Sequence, residues 1–428
     1  MKRVAITGIG AVTPVGNDAE TTWQALKAGR SGVGPITTFD ASTFDVRIAG
    51  MVDNFDVGQY LPDPSYHRHL SRAASFGVGA VAQAMAGAGI DDHAAYAPEE
   101  IGISMGGSVG RGELQELADM AFVLDSTGGK EIYRQAPRDV LLRDQNLGVA
   151  EMARVIGAAG PTVNVSTACA GSAHAIGEAF RRVQEGDAPV MIAGGFDALT
   201  TWLDVMGFML LGALTTEYND DPQSASRPFD GKRSGFVLGE GAVAVALEDW
   251  DRAVERGATI QGELIGYAST LNAYRITDAP PDGRGVSDSI RLALEDAHMT
   301  PADVDYVVAH GTGTHGNDVC ETAAIKSVLG DDAYRVAISS PKSMTGHLTS
   351  GAGGLNLLAA LGALREQIVS PTRNLTSPDP KLDLDFVPNE ARPMRVRAAI
   401  VNAFAFGGTN GSMVVRHPDP SSLNGAPA

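Results

Sequence analysis

The stretch Pro161-Thr-Val-Asn-Val-Ser-Thr-Ala-Cys169-Ala-Gly-Ser-Ala-His-Ala175 turns a strand into a helix around a single cysteine. Residues 162–166 are rich in β-branched types, which favour a strand. After Cys169, the residues Ala173, Ile176, Phe180 and Val183 recur at helical spacing, and Gly186 supplies a stop. The small neighbours Ala168, Ala170 and Gly171 let a substrate approach the backbone. A helix N-terminus carries partial positive charge, which predicts a lowered cysteine pKa and a nucleophilic thiolate. A small cysteine packed as a buried hydrophobe fits the same stretch as well. This segment alone leaves both readings open.

Strands and helices alternate on either side of it. A strand opens the chain at 3–9 and runs into a turn with Gly8, Gly10, Pro14 and Gly16; Asn17 is the expected cap of a helix that ends at Gly29. No Lys-Ser/Thr pair and no dinucleotide spacing follows, so these glycines serve tight strand-to-helix packing. A second cycle begins near Ala258, with strands at 260–268, 304–310, 336–340, 398–404 and 412–416 and helices at 286–298, 317–329 and 351–364. The pattern predicts an α/β fold of two similar halves, 1–257 and 258–417, followed by a disordered tail at 418–428. The apolar stretch Met206-Gly-Phe-Met-Leu-Leu-Gly-Ala-Leu214 reads as core.

The 428 residues carry a formal net charge of -18, which argues against general nucleic-acid binding. An acidic partner would need a local basic patch. No apolar run is long enough to cross a bilayer, the chain opens into a strand and not a signal peptide, and Cys169 and Cys320 give no disulfide framework. The expectation is a cytoplasmic globular protein with no membrane segment.

Three further stretches bear on Cys169. His310-Gly-Thr-Gly-Thr314, Lys342-Ser-Met-Thr-Gly-His347 and Asn402-Ala-Phe-Ala-Phe-Gly-Gly-Thr-Asn410 each follow an apolar strand. In layered α/β folds such strand ends are where sites assemble. A nucleophile, two imidazoles and a glycine turn therefore converge.

These motifs, with Arg227-Pro-Phe-Asp230 and Gly235-Phe-Val-Leu-Gly-Glu-Gly241, make residues 3–416 resemble the β-ketoacyl-acyl carrier protein synthases, decarboxylating condensing enzymes of the thiolase-like superfamily. The resemblance implies a thiolase-like fold, two αβ halves packed as five layers, α-β-α-β-α. It implies that Cys169 accepts an acyl group, that His310 and His347 hold the malonyl thioester carbonyl, and that the N–H groups of Cys169 and Phe406 form an oxyanion hole. Lys342 would orient the site with Glu321 as its ionic partner, and Thr312 and Thr314 would bind pantetheine. Met105, Phe404 and Phe406 match the acyl pocket and its gate. Ala405 replaces a usual glycine and is expected to stiffen that gate.

Substrates would arrive on the phosphopantetheine of an acyl carrier protein, with no resident cofactor or metal. Arg68, His69 and Arg72 match one half of the carrier-docking patch, and Lys130 and Arg134 could form the other; Gly212 stands where the family has an arginine. The reaction implied is decarboxylative Claisen condensation of the fatty-acid elongation type, by a homodimer. The alternative is the catalytic subunit of a bacterial type II polyketide or polyene synthase, paired with a homologous chain-length subunit. A non-catalytic partner subunit ranks below both, because Cys169, His310 and His347 are all present. A thiolase would need a second reactive cysteine, and zinc binding would need closer ligand spacing.

Overall fold

The computed structural model describes residues 1–108, 110, 113–134, 136, 139, 142–419 and 421. Of the expected disordered tail, residues 420 and 422–428 lie outside the described residues. Ten strands matter here. In the first half they are β1 (Val4–Val12), β2 (Ile101–Gly107), β3 (Thr162–Val165), β4 (Val190–Asp197) and β5 (Gly241–Asp249). In the second half they are β6 (Gly262–Leu271), β7 (Tyr306–Val308), β8 (Ala337–Ser339), β9 (Ala398–Phe404) and β10 (Thr409–Arg416).

The spatial order β8-β7-β9-β10-β6-β1-β5-β4-β2-β3 shows the duplication. In each half the first strand pairs antiparallel with the fifth and the fifth with the fourth, while the fourth, second and third run parallel. The halves meet where β1 pairs antiparallel with β6, Val4 opposite Leu264 and Ile6 opposite Gly262.

The helices that build the layers are α1 (Ala19–Lys27), α2 (Arg72–Ala88), α3 (Leu114–Ser126), α4 (Gln145–Val155), α5 (Gly171–Glu185), α6 (Trp202–Leu210), α7 (Val286–Asp296), α8 (His315–Leu329) and α9 (Ala352–Glu366). In α9 every residue from Ala352 to Leu364 is buried. A helix apolar all round belongs inside, and α9 lies with α5 between the two sheets, in one cluster with Ile176, Phe180, Leu355 and Leu358. α2 and α4 cover the outer face of the first sheet, α7 and α8 that of the second. The five layers are therefore α-β-α-β-α, a thiolase-like arrangement.

The early glycines have the packing role read from the sequence: a Cβ on Gly8 would stand 2.1 Å from the Ala84 carbonyl of α2. The α1 cap is Asp18 and not Asn17, since Asp18 Oδ1 accepts the Thr21 N–H at 2.6 Å while the Asn17 amide donates to the Asp53 carbonyl. The stretch expected to be core divides. Within α6 Val205 is buried, whereas Leu210 and Leu211 at its end are largely exposed.

Candidate active site

β3 leads through one turn of 3-10 helix, Ala168–Ala170, into α5. Ala168 takes φ +45°, a left-handed backbone that costs a non-glycine residue about 1–2 kcal/mol. The turn presents Cys169, only 7% exposed, to a cavity of about 310 Å³. Burial pushes its thiol up to about 12, with Lys342 and the N–H groups of Cys169 and Phe406 pulling it back. The expectation of a lowered pKa is thus corrected. Desolvation of the buried sulfur outweighs the partial charge of a helix start and favours the neutral thiol.

His310 and His347 line the same cavity, their rings 5.2 Å apart at 78°. His310 follows β7, and its ring also leans on Phe404 at 5.5 Å. His347 Nδ1 accepts the Thr349 N–H at 3.2 Å, so the neutral ring carries its hydrogen on Nε2 as a donor. Burial holds both imidazoles well below the usual histidine pKa, and the Lys342 charge depresses them further. At neutral pH they are uncharged.

Lys342 is buried, its Nζ finds no hydrogen-bond partner among the described residues, and desolvation lowers it to about 8. Glu321, its expected ionic partner, acts on it through charge. The Glu321 carboxylate accepts the N–H groups of His310 and Gly311, each at 2.8 Å, and the Asn402 amide at 3.1 Å. Its charge steadies Lys342 through space instead. One turn earlier on α8, Asp318 accepts the N–H groups of Thr312 at 3.2 Å and Gly313 at 3.3 Å. Two carboxylates three residues apart on one helix face therefore hold the turn 310–313 by all its backbone donors.

Thr312 and Thr314 line the cavity with their hydroxyls 3.0 Å apart, and Thr314 caps α8. Phe406 lies in the turn after β9, where Gly407 and Gly408 take φ +84° and +80°. Ala405 is absent from the left-handed residues. It donates its N–H to the Thr409 carbonyl at 2.9 Å and needs no glycine for this conformation. Gly212 does take a left-handed φ, +65°, at the mouth of the cavity.

Met105 is a correction. Ser104 of β2 donates its hydroxyl to the Ala175 carbonyl of α5, so the next residue points to the opposite face. Met105 is buried there with Phe76, Val149 and Met152, away from the cysteine cavity. Arg68, Lys130 and Arg134 are exposed. The Arg72 guanidinium instead turns inward to the buried Glu240, with Nε 2.9 Å from Oε2.

Several residues of this site escaped the sequence reading. Asp318 could have been found from its spacing to Glu321, and Asn402 as a polar residue inside an apolar strand. Asp197 gave no local signal. Buried at the end of β4, it accepts the hydroxyls of Ser108 at 2.8 Å and Thr349 at 2.6 Å and the Ser350 N–H at 3.1 Å. It thereby fixes the turn that follows His347.

Comparison with known proteins agrees with this geometry. Residues 1–253 match the family profile described as Beta-ketoacyl synthase, N-terminal domain, and residues 261–376 match Beta-ketoacyl synthase, C-terminal domain. The 3-oxoacyl-[acyl-carrier-protein] synthase 2 of Synechocystis sp. is 46% identical over 409 residues, covering 96% of each chain. That of Coxiella burnetii is 40% identical, covering 97% of this chain and 98% of the relative. A solved type II polyketide ketosynthase, in complex with its acyl-carrier protein and bound to a hexaketide, superposes with a TM-score of 0.87 at 32% identity, covering 98% of this chain and all of that one.

Proposed function

The chain belongs to the β-ketoacyl synthase family, and on that premise we propose that it condenses a malonyl group on acyl carrier protein with an acyl group on Cys169, releasing CO2 and 3-oxoacyl carrier protein. The observation that carries this reading is the convergence of Cys169, His310 and His347 on one cavity, with the N–H groups of Cys169 and Phe406 directed at the sulfur. In the first step the Cys169 sulfur attacks the acyl thioester, and the two N–H groups take the charge of the tetrahedral oxyanion. The carrier thiol leaves with the proton that the cysteine gives up.

In the second step the malonyl thioester carbonyl accepts hydrogen bonds from His310 and His347. The C–C bond to the carboxylate breaks, CO2 departs, and the electron pair becomes an enolate. Neutral donors suit this role, because they stabilise developing negative charge without trapping the ground-state carboxylate as a cation would. The carbanion attacks the acyl thioester on Cys169, the sulfur is expelled, and it regains a proton from solvent. Thr312 and Thr314 offer hydroxyls to the pantetheine arm, and Phe404 and Phe406 wall the acyl side. The arm is part of the substrate; the chemistry written here calls on no resident cofactor.

Partner readings rest on surface features. Arg68, Lys130 and Arg134 give an acidic carrier protein exposed cations despite the overall charge. Among the described residues the outer edge of β3 is unpaired, α3 buries none of its residues, and Phe122 is 72% exposed. An edge strand and an apolar helix of this kind call for a second chain, and a second copy of this one is the proposed occupant. The structural likeness to a solved ketosynthase/chain length factor supports, as the second reading, a heterodimer with a homologous chain-length subunit. A catalytic thiol that must stay reduced supports a reducing, cytoplasmic setting.

Intact-protein mass spectrometry with a panel of acyl carrier protein thioesters tests the reaction. An adduct on Cys169 and elongated product on adding malonyl carrier protein are expected; no adduct from any donor overturns the reading. Native mass spectrometry of the purified chain, alone and co-expressed with a cysteine-less homologue, separates homodimer from heterodimer.

A further inference from the structure

The mechanism above leaves one buried imidazole unused. His174 lies five residues after Cys169 on α5, 7% exposed. Its Nδ1 is 2.9 Å from Thr167 Oγ1, and its Nε2 is 3.1 Å from the Asn410 carbonyl oxygen and 3.3 Å from Ser269 Oγ. A carbonyl oxygen can only accept, so Nε2 carries the hydrogen. Nδ1 is then a lone pair that receives the Thr167 hydroxyl. Burial keeps the ring neutral by lowering its pKa, which preserves this division of roles. The ring lies close against Gly411, where an added Cβ would stand 3.0 Å from His174 Cδ2.

Two of the three partners of His174, Thr167 and Asn410, belong to turns that carry an oxyanion donor. Thr167 begins the turn that holds Ala168 left-handed and presents the Cys169 N–H. Asn410 closes the turn that presents the Phe406 N–H, and its side-chain amide donates to the Gly408 carbonyl at 3.2 Å and to Asn272 Oδ1 at 2.7 Å. The first turn comes from the first half of the chain and the second from the other half. One rigid ring therefore ties together the two segments whose relative position sets the width of the oxyanion hole.

We propose that His174 is a positioning residue that fixes the spacing between the Cys169 and Phe406 amides, and so governs acyl transfer on the sulfur but not decarboxylation at His310 and His347. This role rests on the condensing reading above. Displacing an oxyanion donor by an ångström costs on the order of 100-fold in rate.

The test compares two rates in the full-length protein: single-turnover acylation of Cys169 by an acyl carrier protein thioester, followed by intact mass, and CO2 release from malonyl carrier protein without an acyl donor. H174F, which removes the hydrogen bonds to Thr167, Asn410 and Ser269, is expected to slow acylation about 100-fold while decarboxylation stays within about twofold. H174Q, which keeps a donor near the Asn410 carbonyl, is expected to recover most of the loss. Thr167→Val keeps the ring and removes its anchor; it is read in place of H174F if that variant fails to fold, with a several-fold acylation loss expected. Acylation at the wild-type rate, or acylation and decarboxylation falling by the same factor, overturns the proposal. A wild-type protein that takes no acyl group from any donor overturns the condensing reading and this role with it. Wild-type acylation matched by H174F overturns this role alone.

Discussion

The duplicated fold contains the same turn twice. In the first half, β3 leads through Ala168–Ala170 to the fifteen-residue helix α5; in the second, β8 leads on to Thr349–Gly351 and the fifteen-residue helix α9. The first residue of each turn is left-handed, Ala168 at +45° and Thr349 at +46°. Cys169 and Ser350 are thus equivalent in backbone and opposite in use. Cys169 faces a cavity, whereas Ser350 is fully buried with its N–H bonded to Asp197. In the second turn Thr349 donates its N–H to His347. Duplication supplied two strained turns; a buried carboxylate made one of them a support for the other's chemistry.

Making the two turns alike breaks the comparison most sharply. Cys169→Ser is expected to abolish the acyl adduct and to lower condensation at least ~1,000-fold, because a hydroxyl gives almost no nucleophilic anion here. Adding Ser350→Cys to that variant should restore nothing, since a thiol there is sealed from substrate. An adduct on residue 350 by intact mass would show that the turns are interchangeable.

Asp197 separates the turns next. Asp197→Ala leaves the hydroxyls of Ser108 and Thr349 and the Ser350 N–H without their acceptor, and buried donors left unmatched cost about 1–3 kcal/mol each. A loss of about 3 kcal/mol by urea unfolding is expected, with condensation falling more than acylation because His347, not Cys169, loses its support. Equal loss of both activities would mean that Asp197 serves the whole core alike.

The histidines offer a pH test of the same boundary. Their folded pKa values lie well below the unfolded value, which is about 6.5. The unfolded chain therefore binds protons that the native site refuses, and stability present above about 6.5 is lost as pH falls below it. Between pH 6.5 and 5.5 each of His310 and His347 should cost about 1 kcal/mol, since linkage follows the logarithm of unfolded-state protonation. The double variant H310F/H347F should show a slope flatter by about 2 kcal/mol over that unit; an unchanged slope would mean that the two rings titrate in the native state as they do in the unfolded chain.

What the sequence disclosed and what it hid divide along range. The switch from β-branched to helical spacing around Cys169, the repeated order of elements and the strand-end histidines are local patterns, and each is found where it was read. The upward shift of the Cys169 thiol depends on burial by loops from both halves, which no local window contains. Glu321 was legible as a carboxylate near Lys342, yet its hydrogen bonds go to the backbone of 310–311. Arg72 read as surface charge, but its partner Glu240 is 168 residues away. Met105 failed for a simpler reason: a strand end names the neighbourhood, and only the register of β2 names the face.

The smallest effect expected concerns the turn after β9, which has no left-handed alanine to match Ala168. Ala405 there has an ordinary backbone, its N–H bonded to the Thr409 carbonyl and its carbonyl to the Gly408 N–H at 3.0 Å. Ala405→Gly thus removes one methyl from the cavity wall and relieves no strain. Its main consequence is greater freedom of the unfolded chain, a loss of about 0.5–1 kcal/mol, with acylation and condensation within about twofold. Gly408→Ala marks the contrast: at φ +80° a Cβ would be strained and 3.0 Å from Asn272 Cβ, beside the carbonyl that Asn410 holds. Acylation should fall more in that variant than in Ala405→Gly. If Ala405→Gly proves the slower of the two, the stiffness of this gate resides in Ala405 after all, and not in the hydrogen bonds that close the turn.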